Sequence, residues 1–181
     1  MDTPGYHHGN LRRALLDAAI EAITESGPTA WSLRDLARRA GVSHAAPVHH
    51  FGDKAGLATA VAAEGYTLFA DALEAAPGGF AELGVAYVRF AITHRAHFEV
   101  MFRPELYRAD DPEVAAARAR ATDVLTRGAR TVSPDADRAY AVAAWSAAHG
   151  FAHLWLSGAL THDGDPETLA RTAFRAMFTP G

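Results

Sequence analysis

The chain of 181 residues is 49% hydrophobic, contains no cysteine and carries a formal net charge of −4. This length can bury a sizeable core in one or two small domains, and the lack of cysteine excludes disulfides and thiolate metal sites. The acidic balance argues against a protein that coats nucleic acid non-specifically. No apolar run reaches the roughly 18 residues of a membrane span, so we expect a soluble, cytoplasmic protein with no membrane partner.

The first predicted helix runs from Leu11 to about Ser26, because apolar residues recur in it at intervals of three and four. Asn10 is expected to cap its start, and Gly27-Pro28 ends it. The helix then supplies one wall of a small three-helix core.

Two short helices joined by a tight turn are predicted next. Ser32 is expected to cap the first of them, and Gly41 to end it in the left-handed conformation. Ser43 is then expected to cap a helix over residues 44–50. This order predicts a helix-turn-helix motif at about 32–51, whose second helix would enter the major groove of DNA.

A long helix is predicted from Lys54 to about Ala75, capped by Asp53 or by the glycine before it. The Pro-Gly-Gly sequence at 77–79 is the clearest break in the chain. We place the domain boundary within the helix just before this break. The division gives an N-terminal domain of residues 1–70 and a C-terminal domain of residues 71–181.

Five more helices are predicted after the break, and three of them open with a capping residue directly before a proline. A proline in the first helical turn costs no hydrogen bond, because the N–H groups there have no partner in the helix. No alternating strand pattern occurs, so the fold class is all-α with about nine helices. The five helices are expected at 80–94, 97–102, 112–130, 134–158 and 166–178.

The motif region resembles that of the TetR-type transcriptional regulators in the order and spacing of its residues. The matching residues are Leu36-Ala37, Ala40-Gly41-Val42-Ser43, His50-Phe51, Lys54 and Leu57. One position departs, since Val48 stands where the family usually has a tyrosine that contacts a DNA phosphate. The resemblance implies an N-terminal three-helix DNA-binding domain and a C-terminal helical domain for ligand binding and dimerisation, with the last two helices of each subunit forming the dimer interface.

A second resemblance lies in the C-terminal half. Trp145, His149 and Gly150 form a Trp-x-x-x-His-Gly signature. It is similar to the ligand-binding half of the TetR subgroup that is named for these three letters (WHG).

Short and polar side chains in and around the third predicted helix are the candidates for DNA contact. Base edges specify a sequence while phosphate contacts position the protein, and a helix start attracts phosphate through its N–H groups. Packing beside Phe51 is an alternative role for the last histidine of this set, and a solvated surface is an alternative role for the arginine. The set consists of Ser43, His44, Ala45, Ala46, His49, His50, Lys54 and Arg34.

Aromatic, methionine and histidine side chains of the later helices are the candidates for a ligand pocket, since such pockets combine apolar walls with a few polar groups. Ordinary core packing is the alternative role for each. The set consists of Tyr66, Tyr87, Phe90, His94, Phe98, Met101, Phe102, Trp145, His149 and His153. The last two are one helical turn apart, which is also a zinc-ligand spacing, but no third ligand is fixed by the sequence and we predict no metal.

The sequence therefore favours a ligand-responsive DNA-binding regulator. We expect a homodimeric repressor, without a cofactor, that a small apolar effector releases from a palindromic double-stranded DNA operator. Signatures of enzymes are lacking, with no Gly-x-Ser-x-Gly elbow, phosphate-binding glycine loop or His-Glu-x-x-His helix. The alternative is a small all-α enzyme or binding protein that acts on an apolar compound.

Overall fold

The chain folds into helices, several of which begin at the capping residues that the sequence predicts. The computed structural model describes residues 6–132, 138–160 and 164–178. Within these ranges it contains nine α-helices and no strand, which confirms the predicted fold class. The helices are α1 (Tyr6–Ser26), α2 (Leu33–Arg39), α3 (Ala46–Phe51), α4 (Lys54–Glu74), α5 (Phe80–Thr93), α6 (Arg95–Met101), α7 (Pro112–Val132), α8 (Arg138–Leu156) and α9 (Pro166–Phe178), with a short 3-10 helix at Pro104–Leu106.

Four predicted capping residues hold the starts of their helices. The side chains of Ser32, Asp53, Asp111 and Asp165 each accept a hydrogen bond, 2.7–3.2 Å long, from a backbone N–H two or three residues later. Each bond satisfies one of the donors that a helix start leaves without a partner. The expected start of α8 at Ser133-Pro134 lies outside the described residues.

The predicted start of α1 is wrong. The helix begins at Tyr6 instead of Leu11, so Asn10 lies inside it. Asparagine is a preferred capping residue, but inside a helix it costs only a fraction of a kcal/mol relative to alanine. A residue that favours the N-cap, placed next to an apolar pattern, therefore does not by itself fix where a helix begins.

Contacts within the chain divide it into two compact units. The N-terminal unit comprises the described residues up to Gly65 together with 95–115, and the C-terminal unit comprises 66–94 and the described residues after 115. The core of the N-terminal unit is formed by α1, α2 and the first half of α4. Its fully buried side chains include Leu15, Ile23, Leu36, Leu57 and Val61.

Helix α6 belongs to the N-terminal unit because it packs tightly on α4. A Cβ atom on Gly65 would lie only 2.7 Å from the Sδ atom of Met101. His97 is buried, and its Nε2 atom lies 3.1 Å from Glu64 Oε1. Burial alone would raise the pKa of Glu64, but hydrogen bonds from Arg13 and His97 outweigh it and lower that pKa. The functional boundary near residue 70 stays a prediction.

The C-terminal unit is built around α5, which packs against α8 and α9. Tyr87, Phe90 and Phe174 are almost fully buried at its centre. An ion pair of 2.6 Å between Arg89 and Glu167 also joins α5 to α9 across the surface. Since exposed ion pairs contribute little stability, the aromatic core is what holds this unit together.

Candidate nucleic-acid and ligand interfaces

The turn between α2 and α3 has the geometry of a Schellman motif. Gly41 adopts a φ of 66°, which a residue with a Cβ atom rarely does. Its N–H donates to the Arg38 carbonyl at 3.3 Å, and the Val42 N–H donates to the Ala37 carbonyl at 2.9 Å. These two bonds satisfy carbonyls at the end of α2, as the motif requires. The predicted role of Gly41 is confirmed, and the turn fixes where α3 follows α2.

Gly41→Ala is expected to lower the free energy of unfolding by about 1 kcal/mol, because alanine is strained in the left-handed conformation. No atom lies within 4 Å of the added Cβ, so backbone strain is the only expected cost. Urea unfolding measures the effect. Gly150→Ala inside α8 is the matched control, because its added Cβ also meets nothing within 4 Å while its φ lies outside the left-handed region. Equal losses in the two variants would contradict the assigned strain.

Helix α3 begins later than predicted, and Ser43 does not cap it. The helix starts at Ala46 after an N-cap at Ala45 that makes no side-chain hydrogen bond, and Pro47 occupies its first turn. A helix that began at His44 would place this proline where a donor is needed, and its ring would clash with the carbonyl four residues earlier. Proline therefore moves the start of the helix by two residues.

One face of the α3 region is open to solvent and the other packs into the core. The exposed residues are Ser43, His44, Ala45, Val48 and His49, and the buried ones are Ala46, Pro47 and Phe51. His50 is half-buried, with its ring centroid 6.4 Å from that of Phe51. The Ala46 methyl group is part of the core, so a surface contact with DNA does not suit it.

The Lys54 ammonium group is bound within its own unit. It donates hydrogen bonds to the carbonyls of Thr29 at 2.8 Å and Trp31 at 2.7 Å, and it lies 4.5 Å from the centroid of the Trp31 ring. Two of its three N–H donors are thus used to hold the turn before α2 against the start of α4. A phosphate contact would use the third.

The arginines of α2 differ in their surroundings. Arg39 pairs with Glu25 at 2.7 Å, and Arg38 lies 3.7 Å from Asp35. Arg34 is exposed and makes no ion pair with any residue in the described ranges. Among the three, Arg34 is therefore the one most able to meet a phosphate.

The ten residues predicted to form a ligand pocket are divided between the two units. Phe98, Met101 and Phe102 belong to the N-terminal unit. The C-terminal unit contains Tyr66, Tyr87, Phe90, His94, Trp145, His149 and His153.

Three of these residues form a hydrogen-bonded chain in the C-terminal unit. The Trp145 indole N–H donates to the Tyr87 hydroxyl at 3.1 Å, and that hydroxyl lies 2.9 Å from Nδ1 of His149. Since an indole can only donate, the Tyr87 hydroxyl accepts its bond. Burial raises the pKa of Tyr87, which keeps the hydroxyl protonated. The chain of hydrogen bonds thus links α5 to two residues of α8 that are one helical turn apart.

An apolar slot adjoins this chain of hydrogen bonds. Its volume of about 20 Å³ is roughly the room needed by one water molecule. None of its lining residues is charged, and Tyr87 and Trp145 are the predicted residues among them. It is lined by Phe80, Leu83, Gly84, Tyr87, Leu125, Ala141, Ala144, Trp145, Ala148, Phe174 and Phe178. The contributions of α7 and α9 were missed in the sequence, although Gly84 inside a helical pattern is a signal of close approach.

His149 should make stability depend on pH. Burial, and then the neighbouring His153, lower its pKa below the ordinary 6.5. The unfolded chain therefore binds the proton more readily, and stability is lost as the pH falls through 6.5 towards the lower folded pKa. We expect wild-type stability in urea to fall more steeply between pH 7.5 and 5.5 than that of His149→Gln. His44→Gln, at an exposed histidine of the N-terminal unit, serves as control, and identical slopes for wild type and His149→Gln would contradict this role.

Helix α8 presents an exposed face without charges. Residues 139–156 contain no Asp, Glu, Lys or Arg, yet Val142 and Leu154 are 44% and 47% exposed. Met177 on α9 is 59% exposed. Exposed apolar surface of this kind is typical of a face that another protein covers. The small residues Ala143 and Gly150 lie on or beside the same face and leave room for close approach.

Metal-binding clusters and membrane-spanning helices are two further features to consider in the described residues. No group of three or more His, Asp or Glu side chains there is placed to hold a metal ion. None of the helices in the same ranges is long and apolar enough to cross a membrane.

Comparisons with known proteins agree with this arrangement. A family model described as "Tetracyclin repressor-like, C-terminal domain" matches residues 80–177, which is more than half of the chain. A second model, "Bacterial regulatory proteins, tetR family", matches residues 15–61 and thus includes the helix-turn-helix. Neither description names the Trp-His-Gly subgroup, which stays a prediction.

Individual relatives show the same likeness. The HTH-type transcriptional regulator BetI of Escherichia coli is 43% identical over 76 residues, which cover 40% of this chain and about two fifths (39%) of the relative. A protein of unknown function from Rhodococcus sp. RHA1 is 35% identical, with a TM-score of 0.77 over 97% of both chains. A regulatory protein in the tetR family from Rhodococcus RHA1 shares the fold, at 23% identity and a TM-score of 0.72 over 94% of this chain and 98% of that one. With both halves matched, this chain belongs to the TetR family of bacterial regulatory proteins.

Proposed function

We propose that the protein is a ligand-responsive transcriptional repressor that binds a palindromic DNA operator as a homodimer. The observation that carries the proposal is the exposed surface formed by His49 of α3 and by Ser43, His44 and Ala45 just before it, next to a well-formed turn. Arg34 on α2 supplies an exposed cation in the same unit. Such a face combines groups that read base edges with groups that hold phosphates. The protein acts in the cytoplasm, and it regulates transcription without catalysing a reaction.

A mobility-shift assay on the DNA that flanks its own gene tests this proposal. We expect a shift that depends on a palindrome and that weakens when His49 and Arg34 are replaced by alanine. Lys54→Met is unsuitable as a DNA-contact test, because it also removes two bonds to the backbone. Arg118→Ala on α7 is the control for loss of an exposed basic side chain. Turnover of an apolar compound without any DNA shift would instead support the alternative of a small all-α enzyme.

The effector is an uncharged, mainly apolar molecule that enters the slot of the C-terminal unit. The walls of the slot carry no charge, so a charged ligand would lose its hydration without gaining a partner. The hydrogen-bonded chain of Trp145, Tyr87 and His149 offers a polar group beside the apolar wall. Because the slot has room for about one water molecule, the effector must displace side chains, and the opened form must be the one with weaker DNA binding.

Coupling to DNA passes along α4, which contributes residues to both units. Couplings of about 1–3 kcal/mol are usual for such effects and would weaken operator binding roughly 5- to 150-fold. A thermal-shift screen of uncharged apolar compounds identifies candidates, which are then added to the operator complex. We expect Trp145→Phe, which retains a ring but loses the N–H donor, to reduce this response. The mechanism is wrong if every stabilising compound leaves the DNA complex intact.

A further inference from the structure

Val48 holds an apolar side chain in solvent on the α3 face assigned above to DNA. It is 53% exposed. The other large apolar side chains with comparable exposure among the described residues, Val142, Trp145, Leu154 and Met177, all belong to the C-terminal unit. Valine is a poor helix former and gains nothing from packing while it stands in water. Its apolar surface is therefore available for a contact outside the folded chain.

The chemistry of valine limits that contact. The side chain has no hydrogen-bond donor or acceptor, so it neither holds a phosphate nor reads the polar edge of a base. The apolar group that bases present in the major groove is the C5-methyl of thymine. Because valine is branched at Cβ, it has one strongly preferred χ1 rotamer in a helix and presents its two methyl groups in a fixed position.

The neighbours of Val48 suit this contact. Ala45, three residues earlier, is exposed and adds a further methyl group one helical turn away. The His49 N–H donates to the Ala45 carbonyl at 3.0 Å, which holds this turn in register. Helix α3 contains no Arg or Lys, so fixed positive charge does not dominate its face. We infer that Val48 reads the C5-methyl group of one thymine in each half-site and thereby sets part of the operator sequence.

The inference rests on the proposed DNA binding and is tested on a duplex that the full-length protein selects from a random-sequence pool. Each thymine is replaced in turn by uracil, which removes only the methyl group. At one position in each half-site, this change should weaken binding about fourfold, or about fifteenfold when both half-sites are changed. Val48→Ala should bind the thymine duplex more weakly than the wild type by a similar factor. Its affinity should not change when uracil replaces thymine at that position.

Controls separate this contact from a general loss of affinity. Thr122→Ala, which shortens an exposed β-branched side chain on α7, should keep the wild-type ratio of thymine to uracil affinity. Val48→Thr, which retains one methyl group, should show an intermediate ratio. Two results would overturn this inference alone. One is a selected duplex whose affinity does not depend on any thymine methyl group, and the other is a Val48→Ala variant that keeps the wild-type ratio of thymine to uracil affinity. Failure to select any duplex overturns the proposed DNA binding and the inference with it.

Discussion

Leu154→Arg is expected to convert the protein into a monomer and to weaken operator binding about 100-fold or more. Leu154 is 47% exposed on the charge-free face of α8. In a two-fold dimer the same residue occurs in both subunits, so one substitution places two like charges in the interface. An unpaired buried charge costs several kcal/mol, which exceeds what a weakly stable dimer can lose. A monomer then offers the DNA a single reading helix instead of two, one helical turn of DNA apart.

Light scattering at micromolar concentration measures the mass, and a mobility-shift assay on the operator measures the affinity. Thr122→Arg is the matched control, since Thr122 is exposed on α7 and the same charge is introduced away from this face. A second test uses Met177→Arg on α9, where the exposed methionine should have the same effect. A dimer that persists in both variants would exclude this surface as the interface.

The sequence does not tell which side of α8 faces outward. Ala144 and Ala148 are buried within the chain, whereas Val142 is exposed. Helical spacing alone does not tell which side of an alanine-rich helix faces its own core. The exposed Val142 and Leu154 identify the outward side, because only the folded chain shows which apolar residues remain without cover.

Local signals in the sequence were sufficient for most helix ends. Ser32, Gly41 and Asp53 act where they were predicted to act, because a cap or a left-handed glycine depends on a few neighbouring residues. Pro47 was present in the same stretch, but the prediction for α3 gave more weight to Ser43 as a cap. The steric demand of proline is the stronger constraint, so it determines the register of the reading helix.

The slot could not be predicted from the spacing of residues in the sequence, because it is formed by contacts between different helices. Its wall includes Leu125 of α7 and Phe174 of α9. Both residues lie on other helices than the Trp145 signature, which is on α8. Aromatic residues of the long helices are equally suited to a core and to a pocket, and only the packing of α5 against α9 separates the two roles. Gly84 of α5 was the available signal of that packing, and Gly128 of α7 was the signal that α7 approaches α5.

Phe174→Ala is expected to lower the free energy of unfolding by about 3–5 kcal/mol. The side chain is 1% exposed, packs with its ring centroid 5.8 Å from that of Phe151 and forms part of the slot wall. Its removal leaves an apolar cavity continuous with the slot, which should stay dry and accept a small aromatic molecule such as benzene. Urea unfolding with and without benzene measures both effects. A loss below about 1 kcal/mol would show that Phe174 does not fill this core.

The effect of Gly84→Ala on the free energy of unfolding should change sign when Phe174 is replaced by alanine. In the wild type the added Cβ would lie 2.5 Å from the Phe174 ring, and the three nearest atoms all belong to that ring. Overpacking of this kind costs about 1–3 kcal/mol. Without the ring the clash disappears, and alanine is favoured over glycine inside a helix by about 1 kcal/mol. A double-mutant cycle in urea should therefore give Gly84→Ala as destabilising in the wild type and as stabilising in Phe174→Ala. Equal losses in both backgrounds would mean that α5 and α9 do not approach each other at these two residues.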